Sequence, residues 1–288
     1  MALIIPTLNG GEVFRRLLSS VAKQSYQPYR KIVIDSTSED QTAALARKAG
    51  FDVVSIPRDA FNHGLTRQQG VEMAEDADII IFLTQDAILA GDEAFSRLIA
   101  CFTSSNVGAA YGRQLPHMNA TPIEAHARLF NYSTVSRVKS LEDAPVLGIK
   151  TAFISNSFAA YCRSPLMDVG GFPSNTILSE DTYVAANMLL QGWKIVYCAE
   201  AQVYHSHNYS FIEEFKRYFD IGVFQARESW IREKFGQAES EGLRYIISEV
   251  KYLWKNHYRY FISVAFIRTV LKYMGYKLGL WEEKIPIS

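Results

Sequence analysis

Three places in the chain gather side chains able to perform group transfer. Asp86 closes the run Ile79-Ile80-Ile81-Phe82-Leu83-Thr84-Gln85-Asp86. A carboxylate just past an apolar strand can hold a hard divalent cation that bridges the phosphates of a nucleotide, although acids also start turns there. Glu180-Asp181 is the second place. Two acids in a first helical turn favour the helix dipole, and a carboxylate beside an acceptor can also take a hydroxyl proton as that oxygen attacks. The third is Tyr204-His205-Ser206-His207, where His205 lies 24 residues after Asp181. Imidazole serves as a metal ligand or as a structural group, and no second carboxylate for a metal is evident. His207 is expected to be structural or to face the acceptor, with metal ligation as its fallback role.

These groups need a scaffold that brings strand ends together. The spacing predicts strands at Leu3 to Ile5, Lys31 to Ile34, Asp52 to Ile56, Ile79 to Leu83 and Val107 to Tyr111. Apolar residues at helical spacing fall between them, over Glu12 to Lys23, Asp40 to Ala49, Thr66 to Glu75 and Glu93 to Phe102. This alternation predicts an α/β fold with a mostly parallel central sheet, whose ligands collect at the carboxyl ends of the strands. Thr7, Asn9, Asp35, Ser36, Arg58, Asp59, Asn62, His63, Gln85 and Asp86 all follow strands. Further on, a strand from Phe153 through Ala160 is expected, then a turn at Gly170-Gly171-Phe172-Pro173. Ser179 is expected to cap a helix running to Leu190, followed by strands at Lys194 to Tyr197 and Gln202 to His205. After Ser210 the pattern changes to long helices rich in aromatic and basic residues, dividing the chain into a catalytic domain, 1–210, and a C-terminal helical region, 211–288.

Composition narrows the partners. Thirty basic residues balance thirty acidic ones, so no global positive field is available for gripping nucleic acid. Cys101, Cys162 and Cys198 are widely spaced in apolar settings and are expected to be buried thiols. With neither a secretion signal nor a run long enough to span a bilayer, the expected location is cytoplasmic. From Arg244 to Lys277 seven basic residues meet one acid, Glu249, interleaved with aromatic rings. Such a segment suits the inner-membrane surface, packing on the catalytic domain, or a homo-oligomer contact.

Ile4 to Asn9, Val33 to Thr42, Gly64 through Arg67 to Gly70, Thr84-Gln85-Asp86, Gly170-Gly171-Phe172 and Ser179-Glu180-Asp181 occur in an order that resembles the inverting family 2 glycosyltransferases of GT-A fold. Phe61 to Gly64, Phe82 to Ala87, Tyr111 to Pro116, Tyr204 to Ser210 and Phe215 to Gly222 are similar to bacterial rhamnosyltransferases of surface-polysaccharide synthesis. The resemblance implies dTDP-L-rhamnose as donor, a saccharide acceptor on a lipid carrier, and Mg²⁺ or Mn²⁺ as cofactor. It implies Pro6, Thr7 and Asp35 around the nucleobase, with Asn9 and Gln85 in the donor site and Arg67 at the base edge or diphosphate. It further implies Asp86 and His205 at the metal, Asp181 as base, and Glu180, His63, Arg113 and His207 near the acceptor or behind these groups. The family's paired acids become Thr84-Gln85-Asp86, with the first acid lost. UDP-galactofuranose or UDP-N-acetylglucosamine on the same fold remains an alternative donor, and a sugar-nucleotide-binding scaffold without turnover an alternative role.

Overall fold

Successive residues of the first strand point into different cores, and the layering follows from that split. In the computed structural model, which describes residues 1–103, 106–236 and 241–282, Leu3 and Ile5 bury on one side of the sheet with Phe14, Leu17 and Phe95. Ile4 buries on the other side with Val71, Phe82, Tyr161, Phe172 and Leu189. This is a sheet covered on both faces, as alternating β and α elements require.

The strands are β1 (Ala2–Thr7), β2 (Arg30–Asp35), β3 (Asp52–Ser55), β4 (Ile79–Leu83), β5 (Ile88–Leu89), β6 (Val107–Leu115), β7 (Arg137–Lys139), β8 (Phe158–Cys162) and β9 (Lys194–Tyr204). The helices between them are α1 (Gly11–Ala22), α2 (Thr42–Lys48), α3 (His63–Met73), α4 (Ala94–Ile99), α5 (Pro122–Asn131), α6 (Ala144–Leu147), α7 (Arg163–Asp168) and α8 (Glu180–Leu190). Four more follow: α9 (Phe211–Arg227), α10 (Ser229–Phe235), α11 (Glu241–Lys255) and α12 (Tyr260–Leu280). The sheet order is β3-β2-β1-β4-β8-β6-β9-β5, with β7 also on β9. Strands β1 to β4 pair in parallel, as do β6 and β9. The sheet is nevertheless mixed, because β8 runs antiparallel between β4 and β6, and β5 and β7 run antiparallel to β9.

The second half departs from expectation in several places. The strand expected from Phe153 begins only at Phe158, because residues 148–152 form a 3₁₀ turn and the loop after it aims Asn156 into the core. The two strands expected between Lys194 and His205 are one strand. Its register against β6 jumps between Gly112↔Cys198 and Arg113↔Gln202, so Ala199 to Ala201 form a bulge rather than a break. Ser179 precedes α8 but does not cap it: its φ is 62° and its side chain accepts no bond from the helix. Helix α3 starts earlier than expected, at His63, because the Asn62 side chain accepts from the N–H groups of Gly64 and Leu65. The thiols of Cys101, Cys162 and Cys198 are free, and of these only Cys198 is fully buried.

The C-terminal helices fold back on the rest. Helix α9 opens on a capping box formed by Ser210 and Glu213. It packs along α12 in backbone contact: a Cβ on Gly279 would lie 2.0 Å from the Phe219 carbonyl oxygen, and one on Gly222 2.3 Å from that of Tyr276. A buried ionic network fastens the same helices to α5. Arg268 reaches Glu214 at 2.7 Å and Glu124 at 3.8 Å, and Lys272 reaches Glu214 at 2.9 Å.

Candidate active site

The loop after β1 is held by the loop after β2. Thr7 Oγ1 donates to Asp35 Oδ1 at 2.9 Å, and Ser38 donates to both carboxylate oxygens through Oγ and its backbone N–H. Asn9, at φ 47°, accepts from the Glu39 N–H on its side-chain oxygen. Gln85 braces the same loop, accepting from Leu8 N–H at 2.8 Å and donating to Leu8 O at 3.0 Å. Thr7 and Asp35 thus sit together at the ends of adjacent parallel strands, with Pro6 one residue back in β1, while Asn9 and Gln85 shape the loop beside them.

Asp86, His205 and His207 form a cluster whose ligand atoms all lie within 4.8 Å of one another. His205 Nε2 is 3.5 Å from Asp86 Oδ1, and His207 Nδ1 is 3.5 Å from Oδ2. The chemistry of His205 is set from behind. Gln114 Oε1 accepts from Arg128, which can only donate, so the same oxygen, 2.9 Å from His205 Nδ1, must accept there too. The ring proton is therefore on Nδ1 and the Nε2 lone pair faces Asp86, the tautomer a metal ligand needs. Burial lowers the His205 pKa, and burial with the charge of His205 lowers that of His207 to about 4, so both rings are neutral near pH 7. Burial alone would raise the Asp86 pKa, but the hydrogen bond and charge that His205 supplies when protonated, with the charge of a protonated His207 and the Thr84 hydroxyl, bring it well below the usual carboxylate range, so Asp86 is ionised beside two neutral rings. Two neutral imidazoles and one carboxylate fit a divalent cation, and His207 adds a third candidate ligand atom where the sequence motif lacks its first acid.

Gln114 gives this inference a direct test. Gln114→Leu should lower Mn²⁺ affinity about 10- to 100-fold, the usual cost of losing the group behind a ligating histidine. Gln114→Glu keeps the acceptor and should retain the affinity. Titration calorimetry with Mn²⁺ reads both, and equal affinity in all three proteins would show that the His205 tautomer is not set by Gln114.

The other half of the site is the first turn of α8. Glu180 is buried and ion-paired to Arg67 at 3.1 Å, and it accepts from Asn156 Nδ2 at 2.9 Å. Burial would raise its pKa, but Arg67, His63 and Asn156 hold it below the usual glutamate value, so it is ionised. Asp181 is half-buried. Burial and the charge of Glu180 push its pKa up to about 7, against the backbone N–H groups of Asn156 and Thr182, which donate to it at 3.2 and 2.7 Å. A carboxylate tuned close to neutrality is what proton abstraction from a hydroxyl requires.

The other residues expected at the site lie around these two groups. Arg67 is buried, and its NH1 group serves Glu180 and the His63 carbonyl oxygen. His63 lies at the start of α3 beside Arg67 and Glu180. Gly64 holds this turn against the loop before α8, since a Cβ there would sit 1.7 Å from the Pro173 carbonyl oxygen. Arg113 is next to Gln114 on β6, but its charge acts on Tyr197.

Four residues were not singled out from sequence: Gln114, Arg128, Asn156 and Arg217. The Arg217 guanidinium, from α9, lies 5.7 Å from the Tyr209 ring, which stacks on His207, which in turn meets His205. Its charge acts on His205 and His207 and also on His63, so this exposed cation is within electrostatic reach of both halves of the site. Its only sequence signal was its place in the Phe215 to Gly222 motif.

Residues 2–170 fit the model of glycosyl transferase family 2. The chain is 48% identical, over all of its length and 92% of the relative, to the O-antigen chain rhamnosyltransferase RfbN of Salmonella typhimurium. It is 46% identical to WbaN of Salmonella anatum, an O-antigen chain rhamnosyltransferase, covering 99% of this chain and 91% of that one. In fold it is similar to the mannosyltransferase PcManGT from Pyrobaculum calidifontis, solved with GDP-Man and Mn²⁺. That likeness has a TM-score of 0.63 and 14% identity and covers 98% of this chain and 87% of the other.

Proposed function

The chain belongs to glycosyl transferase family 2, and on that footing we propose that it is an inverting rhamnosyltransferase of O-antigen synthesis, using dTDP-β-L-rhamnose as donor. Near-full-length similarity to two O-antigen chain rhamnosyltransferases supports the sugar and a saccharide acceptor, which we take to ride on a lipid carrier. Asp181 is the observation that carries the chemistry: a half-buried carboxylate with its pKa pushed up to about 7, beside an ionised neighbour, in the first turn of α8.

In the proposed reaction Asp181 takes the proton from an acceptor hydroxyl as that oxygen bonds to the anomeric carbon. The bond from that carbon to the diphosphate oxygen breaks with its electron pair, and the diphosphate leaves. One displacement inverts configuration, so the β-linked donor gives an α-linked rhamnose. Glu180, kept ionised by Arg67, holds Asp181 basic by repulsion. Thr7, Asp35 and Pro6 would flank the thymine, with Asp35 accepting its imide N–H. Arg217 would bind the departing diphosphate as a cation from the α9 side. Asp86, His205 and His207 would hold the divalent cation, whose charge offsets that of the leaving group. Two imidazoles in the set favour Mn²⁺ over Mg²⁺. In this reading residues 1–210 are the catalytic unit and 211–288 complete it through Arg217.

A donor panel tests the proposal. With Mn²⁺, the protein should turn over dTDP-L-rhamnose in preference to UDP-galactofuranose and UDP-N-acetylglucosamine, and product NMR should give an α-rhamnosyl linkage. Preference for a UDP-sugar would overturn the donor, and a β-rhamnosyl product would overturn the single displacement.

A further inference from the structure

Helices α11 and α12 carry apolar stripes that nothing among the described residues covers. On α11 Leu243, Ile247, Val250 and Trp254 recur at helical spacing and are all exposed. On α12 Phe266, Val270 and Tyr273 do the same, with Phe266 70% and Tyr273 62% exposed; Trp281 is exposed just past its end, and Tyr260 stands 79% exposed at the elbow between the helices. The opposite faces are already used. Glycines 275 and 279 pack α12 on α9, and Leu253 of α11 buries against Ile123 of α5. These rings are therefore not surplus core. Exposed apolar stripes of this kind mark an interaction face.

Charge identifies the partner. Arg244, Lys251, Lys255, Arg259 and Lys277 are exposed around the two stripes. Between residues 242 and 281 the one acid, Glu249, is buried and hydrogen-bonded by Tyr245. Arg259 lies 4.3 Å from the Trp254 ring and Lys277 5.7 Å from the Tyr273 ring, so cations stand beside the exposed aromatics. A second copy of the chain meeting this face about a twofold axis would bring like charges together. A surface that is anionic outside and apolar beneath satisfies both components. No described helix is long and apolar enough to cross a membrane, so contact would lie along the helices rather than through the bilayer. We propose that the outer face of α11 and α12 docks the protein on an anionic lipid bilayer.

Docking at this face is separable from the chemistry of the cleft, and each can be measured without the other. The full chain should float with vesicles of phosphatidylcholine and phosphatidylglycerol, float poorly with phosphatidylcholine alone, and lose binding as salt rises. Phe266→Ser/Tyr273→Ser and Lys251→Glu/Lys255→Glu change exposed positions only. Each pair should weaken vesicle binding about 10-fold or more, with unchanged thermal unfolding and unchanged transfer to a soluble acceptor. Absence of binding to anionic vesicles at low salt, or equal binding to neutral ones, would overturn the proposal. So would a dimer in light scattering that Phe266→Ser/Tyr273→Ser converts to monomer, which would assign the face to a second copy. Vesicle binding without any sugar transfer would leave docking standing and remove the enzymatic reading instead.

Discussion

Replacing Asp181 with Asn is expected to lower kcat roughly 100- to 10,000-fold, the range for loss of a general base, while dTDP affinity and thermal stability stay close to wild type. Asn keeps the shape and can still accept one of the two backbone N–H bonds that Asp181 receives from Asn156 and Thr182. It also removes a negative charge next to ionised Glu180, which offsets part of the lost hydrogen bonding. The sign of the pH dependence follows from the raised pKa. Asp181 works only when deprotonated, so wild-type kcat/KM should climb with pH and level off above about 7, and the variant should lose that rise. Stopped assays across pH with saturating donor read both effects. Near-normal turnover in Asp181→Asn would move the base elsewhere, with Glu180 the next candidate.

A second large effect is expected at Arg67, on stability rather than on donor binding. Arg67 and Glu180 are an ion pair with side chains only 5% and 6% exposed. Removing one member of such a pair strands the other, at a cost of about 3–5 kcal/mol. Arg67→Met should therefore shift the urea midpoint sharply downward. The double variant Arg67→Met/Glu180→Gln should recover much of the loss, because no buried charge remains, though activity should not return with it. The folded-state pKa of Glu180 is lowered, so the pair's contribution is fully present above the ordinary glutamate value and disappears as pH falls through the depressed one. If Arg67→Met unfolds like wild type but binds dTDP poorly, Arg67 contacts the donor as the sequence implied.

What could be read from sequence follows from what is local. Strands β1, β2 and β4 were legible because their apolar residues are packed from both sides and stop at polar positions that also face the site. Asp86, Asp181 and His205 were legible because each closes or opens an element. Gln114 was not, because its role exists only when β6 brings it to a histidine 91 residues away. Asn156 is hidden likewise: it supports Glu180 and Asp181 from a loop where a strand was expected. Arg67 has the residue type of a donor contact, and only burial beside Glu180 gives it another partner. The bulge in β9 looked like a strand break because Ala199 to Ala201 interrupt the alternation without ending the pairing.

The glycine-lined crossing of α9 and α12 has a mechanical consequence. Where Gly222, Gly275 and Gly279 meet the opposing backbone, no side-chain layer lies between the helices to absorb displacement. Helix α9 carries Arg217 on the cleft side, and α12 carries Phe266 and Tyr273 on the outside. A tilt imposed on the outer helix is therefore delivered to the inner one undamped, and the cation over Tyr209 moves with it. The two helices form one stiff unit, whose outer end carries the exposed rings and whose inner end carries Arg217, the cation proposed to bind the departing diphosphate.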